Sequence, residues 1–477
     1  MDLPTRLIVK GSHWRFVFYG LLIAFAYTVV MLQLMQKQIL GDVWQMIIKH
    51  REIPGPPKTG GASPTAEMIP GSALFHRQWD VNCSALFAGD DAVIEETAMF
   101  ISREREQRNG SLPVPIDAEV RNWTRDCEAF RRERGYPMYP MSEEETSFPL
   151  AYTIITHMTA AQVERLLRAI YQPQNIYCFH PDAGSSAEFH GAIRGLANCF
   201  DNVFVASKLE DVQYAGFTRL LADINCMRDL TGPPAGGHPW KYLINLCGQD
   251  FPLKTNLEIV RQMRFYNGTN DIHSYPQSAY KRQWTYFHHT VRNGFVERTP
   301  IPKRPPPRGM RLHNGNAYFA ATRQFIDFVL TDQRAIHLLD WTRDTYSPDE
   351  VYWATLQRLP GAPGGFPDIA ANSDCKFRFV KWVSDLTTPE CRFGKTVRVV
   401  CIFGVDYLQH LIRAPNLFAN KFHYDFDPVT MQCLEERLYF RSTHPEESDQ
   451  LDNFPLSNYI KQETINDLHT QPSLSVA

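Results

Sequence analysis

The side chains best suited to chemistry are one carboxylate and two cations in the C-terminal half of the chain. Glu350 stands at the start of a predicted helix that continues as VYWATLQR. It can be interpreted as half of a capping box with Ser347 or as a general base, and its spacing alone favours the capping box. Arg398 precedes the apolar segment VVCIFG, and Lys421 lies within LFANKF. These cations could neutralise a departing diphosphate, but they also fit surface side chains whose stems cover apolar neighbours.

Polar side chains also follow several predicted strands. His157 comes after AYTIIT, His180 and Asp182 come after NIYCF, and Asp250 comes shortly after YLINL. A nucleotide-binding α/β domain needs polar groups at the ends of its strands. Any one of these residues could equally cap a helix or a turn, so only their repeated placement indicates a binding site.

One Asp-x-Asp pair, Asp425 and Asp427, could in principle hold a divalent metal. It does not follow a long apolar strand, and carboxylate pairs of this kind are usually solvated at the surface. The sequence therefore predicts no metal site and no cofactor besides the substrates.

The elements that must position these residues alternate between strand and helix. Strands are predicted over 151–156, 175–179, 202–207 and 242–246. Two apolar helical faces separate them, one formed by Val163, Leu166, Leu167 and Ile170 and the other by Phe217, Leu220, Leu221, Ile224 and Met227. This order predicts an α/β fold with a mainly parallel central sheet and a ligand at the carboxyl ends of its strands.

A charge-free apolar run over residues 16–35 is long enough to cross a bilayer as a helix of about 30 Å. Arg6, Lys10 and Arg15 precede the run and only Lys37 follows it closely, so we expect the N-terminus to be cytoplasmic. A cleaved signal peptide is the alternative, but the run is longer than a usual apolar core and no small-x-small site follows closely. The predicted organisation is a cytoplasmic tail over 1–15, a transmembrane signal-anchor over 16–35, a Pro- and Gly-rich stem over 36–80, a lumenal domain over 81–441 and a disordered tail over 442–477.

The composition agrees with a lumenal location. All ten cysteines lie beyond the apolar run, and disulfides persist in an oxidising compartment. Sequons for N-glycosylation also lie there, at Asn82, Asn109, Asn122 and Asn267. The net charge of −3 gives no general attraction to nucleic acid.

Several long segments carry a resemblance to a known family. They are LLRAIYQPQNIYC, YAGFTRLLADINCM, KYLINLCGQDFPLKTNLEIV, DTYSPDEVYWATLQR, FVKW, VRVVCIFG and LFANKF, in family order from about residue 83 to 440. The chain resembles the β-1,6-N-acetylglucosaminyltransferases that make core 2 and I branches on glycans, glycosyltransferase family 14. The resemblance implies a GT-A type fold that transfers GlcNAc from UDP-GlcNAc with inversion and without a metal.

The resemblance also implies roles for particular residues. Glu350 would be the catalytic base, Arg398 and Lys421 would bind the UDP diphosphate, and Trp382 would stack on the acceptor, with Arg282 as a further acceptor contact. The nucleoside contacts would be Ile155, His157, Asp182 and Tyr214. The implied disulfides pair Cys83 with Cys433, Cys127 with Cys199, Cys178 with Cys226 and Cys391 with Cys401, and leave Cys247 and Cys375 as free thiols.

Departures from the family pattern concentrate on the acceptor side, over residues 267–311. Arg282 and Gln283 precede Trp284 where an arginine is expected directly before the tryptophan, and Ser384 replaces an aromatic residue. The expected activity is β-1,6 transfer of GlcNAc to galactose or GalNAc of a glycoprotein or glycolipid glycan at the Golgi membrane. The alternatives are transfer of another sugar, such as xylose, and a catalytically silent glycan-binding or scaffold protein. A homodimer is a further expectation.

Overall fold

The computed structural model describes residues 78–110, 112–235, 237–367 and 377–445. The predicted membrane segment at 16–35, nearly all of the stem, Cys375 and the tail from residue 446 onward lie outside these ranges. Within them, no helix combines the length and the apolarity that crossing a bilayer requires.

The strands are short and most of them are buried. They are β1 (Leu150–Thr156), β2 (Ile176–Pro181), β3 (Val203–Val205), β4 (Tyr242–Cys247), β5 (Asp250–Pro252), β6 (Asp271–Ile272), β7 (Tyr275–Pro276), β8 (Phe287–Arg292), β9 (Phe295–Pro302), β10 (His313–Asn314), β11 (Phe319–Thr322), β12 (Arg378–Val380), β13 (Lys395–Val397), β14 (Val400–Ile402) and β15 (Phe418–Asn420).

Helices surround these strands and are named here by their residues. The α-helices span Cys83–Ala88, Asp91–Glu106, Asp117–Trp123, Cys127–Glu133, Glu143–Thr146, Ala160–Ile170, Ala187–Asn198, Phe217–Thr231, Asn256–Tyr266, Ala279–Tyr286, Arg323–Thr331, Gln333–Trp341, Asp349–Leu356, Leu408–Arg413 and Pro428–Thr443. Short 3₁₀ turns span Pro307–Gly309, Thr342–Asp344 and Val405–Tyr407. The last helix continues two residues past the predicted domain boundary at 441.

The central sheet has the strand order β3-β2-β1-β4-β11-β6. Strands β1 to β4 are parallel to one another, and β11 pairs antiparallel with both β4 and β6. The sheet is therefore mixed but mainly parallel, and the strands predicted from the apolar runs all lie in it. Strand β11 is the addition that the sequence pattern did not indicate.

Both faces of the sheet are buried, because successive side chains of a strand point to opposite sides. In β1, Tyr152 and Ile154 belong to one apolar cluster, while Ala151 belongs to the other. The helix Ala160–Ile170 packs on the first side and the helix Phe217–Thr231 on the second. Burial of large apolar side chains on both faces stabilises the sheet by roughly 1.5–3 kcal/mol for each side chain.

Smaller sheets complete the C-terminal half. Strand β15 pairs parallel with β12 and antiparallel with β5, which follows β4 directly in the chain. Strands β13 and β14 form a hairpin, and Trp382 forms an isolated bridge with Val400 of that hairpin. These pairings bring residues after position 378 next to the carboxyl edge of the central sheet.

Four disulfides form as the resemblance implies, three of them between distant parts of the chain. The bonded pairs are Cys83–Cys433, Cys127–Cys199, Cys178–Cys226 and Cys391–Cys401. Cys247 is a free thiol, as expected. The four sequon asparagines, Asn82, Asn109, Asn122 and Asn267, are all exposed. Their glycosylation stays a prediction.

Candidate active site

A cavity of about 520 Å³ lies where β1, β2 and β4 end. Parallel strands place their carboxyl ends along one edge of the sheet, so the polar residues that follow them converge there. The cavity is lined by eight of the residues singled out in the sequence, namely Ile155, His157, Asp182, Tyr214, Glu350, Trp382, Arg398 and Lys421. Residues up to 266 positions apart in the chain therefore form one site.

The loop after β4 approaches the end of β1 closely at this edge. The amide of Gly248 donates to the carbonyl of Ile155 at 2.9 Å. A Cβ atom at Gly248 would lie 2.4 Å from Thr156 Oγ1, so only glycine fits between the two strand ends.

His157 and Asp182 form the polar wall next to β1 and β2. The Oδ1 atom of Asp182 accepts a hydrogen bond from the amide of Val212 at 2.9 Å, which fixes the carboxylate. Burial lowers the pKa of His157, and the Asp182 carboxylate opposes this shift while Lys421 and Arg398 add to it. The imidazole is therefore neutral at pH 7 and close enough to both cations to respond to their charge.

Arg398 sits in a strained two-residue turn. Val397 pairs with Val400, so Arg398 and Val399 alone connect β13 to β14, with φ angles of +51° and +60°. A type I′ turn needs positive φ at both positions and normally uses Asn and Gly, whereas other residues in this region cost about 1–3 kcal/mol each. The turn holds the Arg398 guanidinium 3.8 Å from the ring centre of Tyr214. Strain of this kind is typical of functional positions.

Lys421 directly follows β15 and lines the same cavity as Arg398. Its carbonyl accepts from the amide of Phe403 at 3.0 Å, which anchors the backbone at this point. Within the described ranges, neither Lys421 nor Arg398 forms an ion pair with a carboxylate. Two cations without a counter-charge at one cavity favour an anionic ligand there.

Glu350 does not form the capping box that its spacing favoured. Ser347 has a φ of +44°, and the residue before the helix Asp349–Leu356 makes no side-chain cap. The Glu350 carboxylate instead accepts from Lys281 Nζ through Oε2 at 2.6 Å. The capping interpretation is therefore wrong. Glu350 lines the cavity, and its Oε1 atom does not take part in the contact with Lys281.

A network of buried charged groups lies in the cavity wall near Glu350. Arg219 Nη1 contacts Asp223 Oδ2 at 2.6 Å, and Thr153 Oγ1 donates to Asp223 Oδ1 at 3.0 Å. Burial raises the pKa of Asp349 to about 6, the Arg219 charge opposes the shift, and the Glu350 carboxylate adds to it. Consecutive carboxyl groups thus have different environments, since Asp349 is buried and Glu350 is partly exposed.

Asp250, which the sequence placed near this site, has a structural role. Its carboxylate contacts Arg378 Nη1 at 2.9 Å and accepts from Asn420 Nδ2 at 2.8 Å, and it is fully buried. Nearby Cys247 lines the cavity, and burial raises its thiol pKa to about 11, with the Asp250 charge adding to the shift. The thiol therefore stays protonated and is not a nucleophile at neutral pH.

The two predicted acceptor residues lie in different places. Trp382 lines the cavity and is 45% exposed, so one face of its ring is available. Arg282 does not line it and instead borders a second cavity with Lys303 and Trp341. The neighbouring Lys281, which the sequence did not single out, is the residue of that helix that reaches Glu350.

The Asp-x-Asp pair lies outside the cavity lining. Asp427 caps the helix Pro428–Thr443, since its carboxylate accepts from the amides of Thr430 and Val405, each at 2.9 Å. Among the residues that the structure describes, no three Asp, Glu, His or Cys side chains are grouped as a metal site would require.

Lys281, Arg219 and Asp349 are the site residues that the sequence reasoning missed. Arg219 and Asp223 carry opposite charges four positions apart in one helix, a spacing from which their ion pair could have been predicted. The contact between Lys281 and Glu350 joins residues 69 positions apart and has no local signal.

A cavity at the carboxyl edge of a mainly parallel sheet, lined by a carboxylate and two cations, is typical of an α/β enzyme that acts on a nucleotide-linked substrate. A family model described as core-2/I-branching enzyme matches residues 150–412. The chain belongs to this family, and its fold is that of a glycosyltransferase-like α/β protein with a mixed sheet.

Curated relatives match most of the chain. A human β-1,3-galactosyl-O-glycosyl-glycoprotein β-1,6-N-acetylglucosaminyltransferase is 41% identical over 371 residues, which cover 75% of this chain and 85% of that protein. Human N-acetyllactosaminide β-1,6-N-acetylglucosaminyl-transferase is 44% identical over 331 residues, covering 68% and 80%. Danio rerio β-1,3-galactosyl-O-glycosyl-glycoprotein β-1,6-N-acetylglucosaminyltransferase 4 is 40% identical over 370 residues, which cover 75% of this chain and 84% of that protein.

Proposed function

We propose that this chain is an inverting, metal-independent β-1,6-N-acetylglucosaminyltransferase with a GT-A type fold. It transfers GlcNAc from UDP-GlcNAc to a galactose or GalNAc of a glycoprotein or glycolipid glycan. The observation that carries the proposal is the convergence of Glu350 with two unneutralised cations, Arg398 and Lys421, on one cavity of a core-2/I-branching family member.

The proposed reaction is a single displacement. Glu350 accepts the proton of a sugar 6-hydroxyl while that oxygen forms a bond to the anomeric carbon of GlcNAc. The bond from that carbon to the UDP oxygen breaks on the opposite face, and UDP leaves with the electron pair. One base and a stabilised leaving group are sufficient, because inversion needs no carboxylate nucleophile.

The contacts of the cavity support this division of roles. Lys281 holds one oxygen of Glu350, so the other oxygen can face the acceptor hydroxyl. Arg398 and Lys421 would stabilise the charge that develops on the diphosphate, as a metal ion does elsewhere. Trp382 offers an exposed aromatic face on which an acceptor sugar can stack.

The proposed setting is the Golgi lumen, with a type II anchor at residues 16–35. Support comes from four disulfides, which persist in an oxidising compartment, and from the exposed sequons. A homodimer remains part of the proposal without a described interface.

The test is transfer by the purified full chain from a panel of UDP-sugars to β-1,3-galactosyl O-glycosides and N-acetyllactosaminides. We expect transfer from UDP-GlcNAc, at an unchanged rate in excess EDTA. Transfer from UDP-xylose alone would contradict the donor assignment. Loss of activity in EDTA with recovery in Mn²⁺ would contradict the roles of Arg398 and Lys421.

A further inference from the structure

A second cavity, of about 450 Å³, is bordered by the helix Ala279–Tyr286, whose Lys281 contacts Glu350. We call it the arginine-lined cavity, because Arg282, Arg304 and Arg311 line it together with Lys303, Tyr286 and Trp341. It falls within the segment in which the chain departs from its family pattern.

The cavity holds an excess of positive charge. Lys303 is neutralised, since its Nζ pairs with Asp344 and donates to the carbonyl of Trp341 at 2.8 Å. The three arginines are exposed and, in the described part of the chain, none of them pairs with a carboxylate. Guanidinium groups that share a small concave space repel one another unless an anion enters it.

Among the described residues, one unpaired buried donor also belongs to the wall of this cavity. The Gln277 side chain lines the cavity, and its carbonyl oxygen accepts from Thr285 Oγ1 at 3.3 Å. That contact sets the orientation of the amide, and its Nε2 atom is buried without a partner in the described residues. A donor of this kind is satisfied by an entering oxygen atom.

The helix Ala279–Tyr286 connects the arginine-lined cavity with Glu350. Lys281 and Arg282 are consecutive in a helix of 3.6 residues per turn, so they point in different directions, one toward Glu350 and the other into the arginine-lined cavity. The arginine-lined cavity and the Glu350 carboxylate therefore border the same helix. An acceptor sugar bound near Glu350 can place a neighbouring sugar there.

We propose that the arginine-lined cavity is an acceptor subsite for an anionic group, a carboxylate or a sulfate ester, on a sugar next to the one that is glycosylated. This inference rests on the proposed function for its link to the acceptor. Arginine forks bind such planar or tetrahedral oxyanions through paired hydrogen bonds. The subsite makes the enzyme prefer charged acceptors over neutral ones.

The test is equilibrium binding to the full chain, which does not require turnover. The probes are a β-1,3-galactosyl O-glycoside in three forms, unmodified, sulfated on the galactose and sialylated on the galactose, with inorganic sulfate as a fourth. We expect one charged disaccharide to bind at least ~10-fold more tightly than the neutral form, the effect of one charge-assisted contact. The tighter of the two charged forms identifies the anion.

The variant Arg304→Ala/Arg311→Ala should lose this preference and keep the affinity for the neutral disaccharide and for UDP. Arg308→Ala is the matched control, because this arginine lies in the same loop and does not line the cavity. Equal binding of all three disaccharides by the wild type would overturn the proposal, as would inorganic sulfate binding as tightly as the sulfated disaccharide. Absence of transfer with the charge preference intact would count against the proposed function alone.

Discussion

At the scale of single residues, the site combines a carboxylate held by a lysine with two cations that form no ion pair within the described residues. Lys281 fixes Glu350 at 2.6 Å, and burial lowers the pKa of this lysine while the Glu350 charge raises it, with a net increase. The ammonium group therefore stays charged at neutral pH and keeps the Glu350 carboxylate in position. Arg398 and Lys421 complete the site from a different part of the chain.

The cations should act on bound UDP as well as on turnover, because the diphosphate charge is present in donor and product. Arg398→Ala and Lys421→Ala should each weaken UDP binding by about 2 kcal/mol, roughly 30-fold, measured by titration calorimetry. Arg413→Ala, an exposed arginine away from the cavity, is the control. Unchanged UDP affinity in both folded variants would show that Arg398 and Lys421 are ordinary surface cations.

The raised pKa of Asp349 predicts that the stability of the fold depends on pH. Its carboxyl has a pKa of about 6 in the folded chain and about 4 when unfolded, so between these values the folded state binds more protons. Stability therefore falls as pH rises from 4 to 6, by on the order of 3 kcal/mol from this group. Asp349→Asn should gain stability relative to the wild type by that amount between pH 4 and pH 7, measured by urea unfolding. A difference between the two proteins that is constant with pH would exclude the assignment.

Residues at strand ends could be predicted from the sequence, because parallel strands bring their carboxyl ends together regardless of loop length. His157 and Asp182 are of this kind. The contact of Lys281 with Glu350 could not be predicted, since it depends on how a helix 69 residues away packs against the cavity. Arg282 shows the same limit, because neighbouring residues of a helix face different surroundings.

At the scale of elements, the strands and amphipathic helices could be predicted from apolar periodicity, but the start of the helix Asp349–Leu356 could not. The pattern Ser347-Pro348-Asp349-Glu350 matched a capping box, yet Ser347 adopts a positive φ, and its amide donates to the carbonyl of Ala215 at 2.8 Å. A backbone contact with a distant loop thus overrides the local signal. Strand β11 was missed for a similar reason, because it joins the sheet antiparallel after a long excursion of the chain.

The helix Pro428–Thr443 offers a test of the two aspartates that resemble a metal motif. Asp427→Ala should lower the free energy of unfolding by about 2 kcal/mol, because two backbone amides lose their acceptor. Asp425→Ala is the matched control and should change stability by less than about 0.5 kcal/mol. Urea unfolding measures both. Equal effects of the two substitutions would argue against the capping role.

At the scale of the whole molecule, one disulfide connects the two ends of the described part of the chain. The bond between Cys83 and Cys433 spans 350 residues and joins the first described helix to the last. The pairing of the cysteines was predicted from the family resemblance and could not be deduced from their spacing, since ten cysteines allow many connectivities. The structure has all four implied bonds.

The long cross-link should stabilise the fold by restricting the unfolded chain. Cys83→Ser/Cys433→Ser should lower the free energy of unfolding by roughly 2–5 kcal/mol, measured by thermal and urea unfolding. Cys247→Ser removes a free thiol and should have a smaller effect. Non-reducing peptide mapping should find Cys247 unpaired, and a Cys247 disulfide in the native protein would contradict the connectivity.

The central claim, that Glu350 is the base of a β-1,6-N-acetylglucosaminyltransferase, is tested most directly by turnover of Glu350→Gln. Glutamine keeps the size of the side chain and can accept from Lys281, but it cannot take the acceptor proton. With UDP-GlcNAc and an acceptor that the wild type uses, the variant should fold, bind UDP-GlcNAc with wild-type affinity and lose at least ~10²-fold in kcat. A well-folded Glu350→Gln protein that retains more than about a tenth of wild-type turnover would contradict the claim at that threshold.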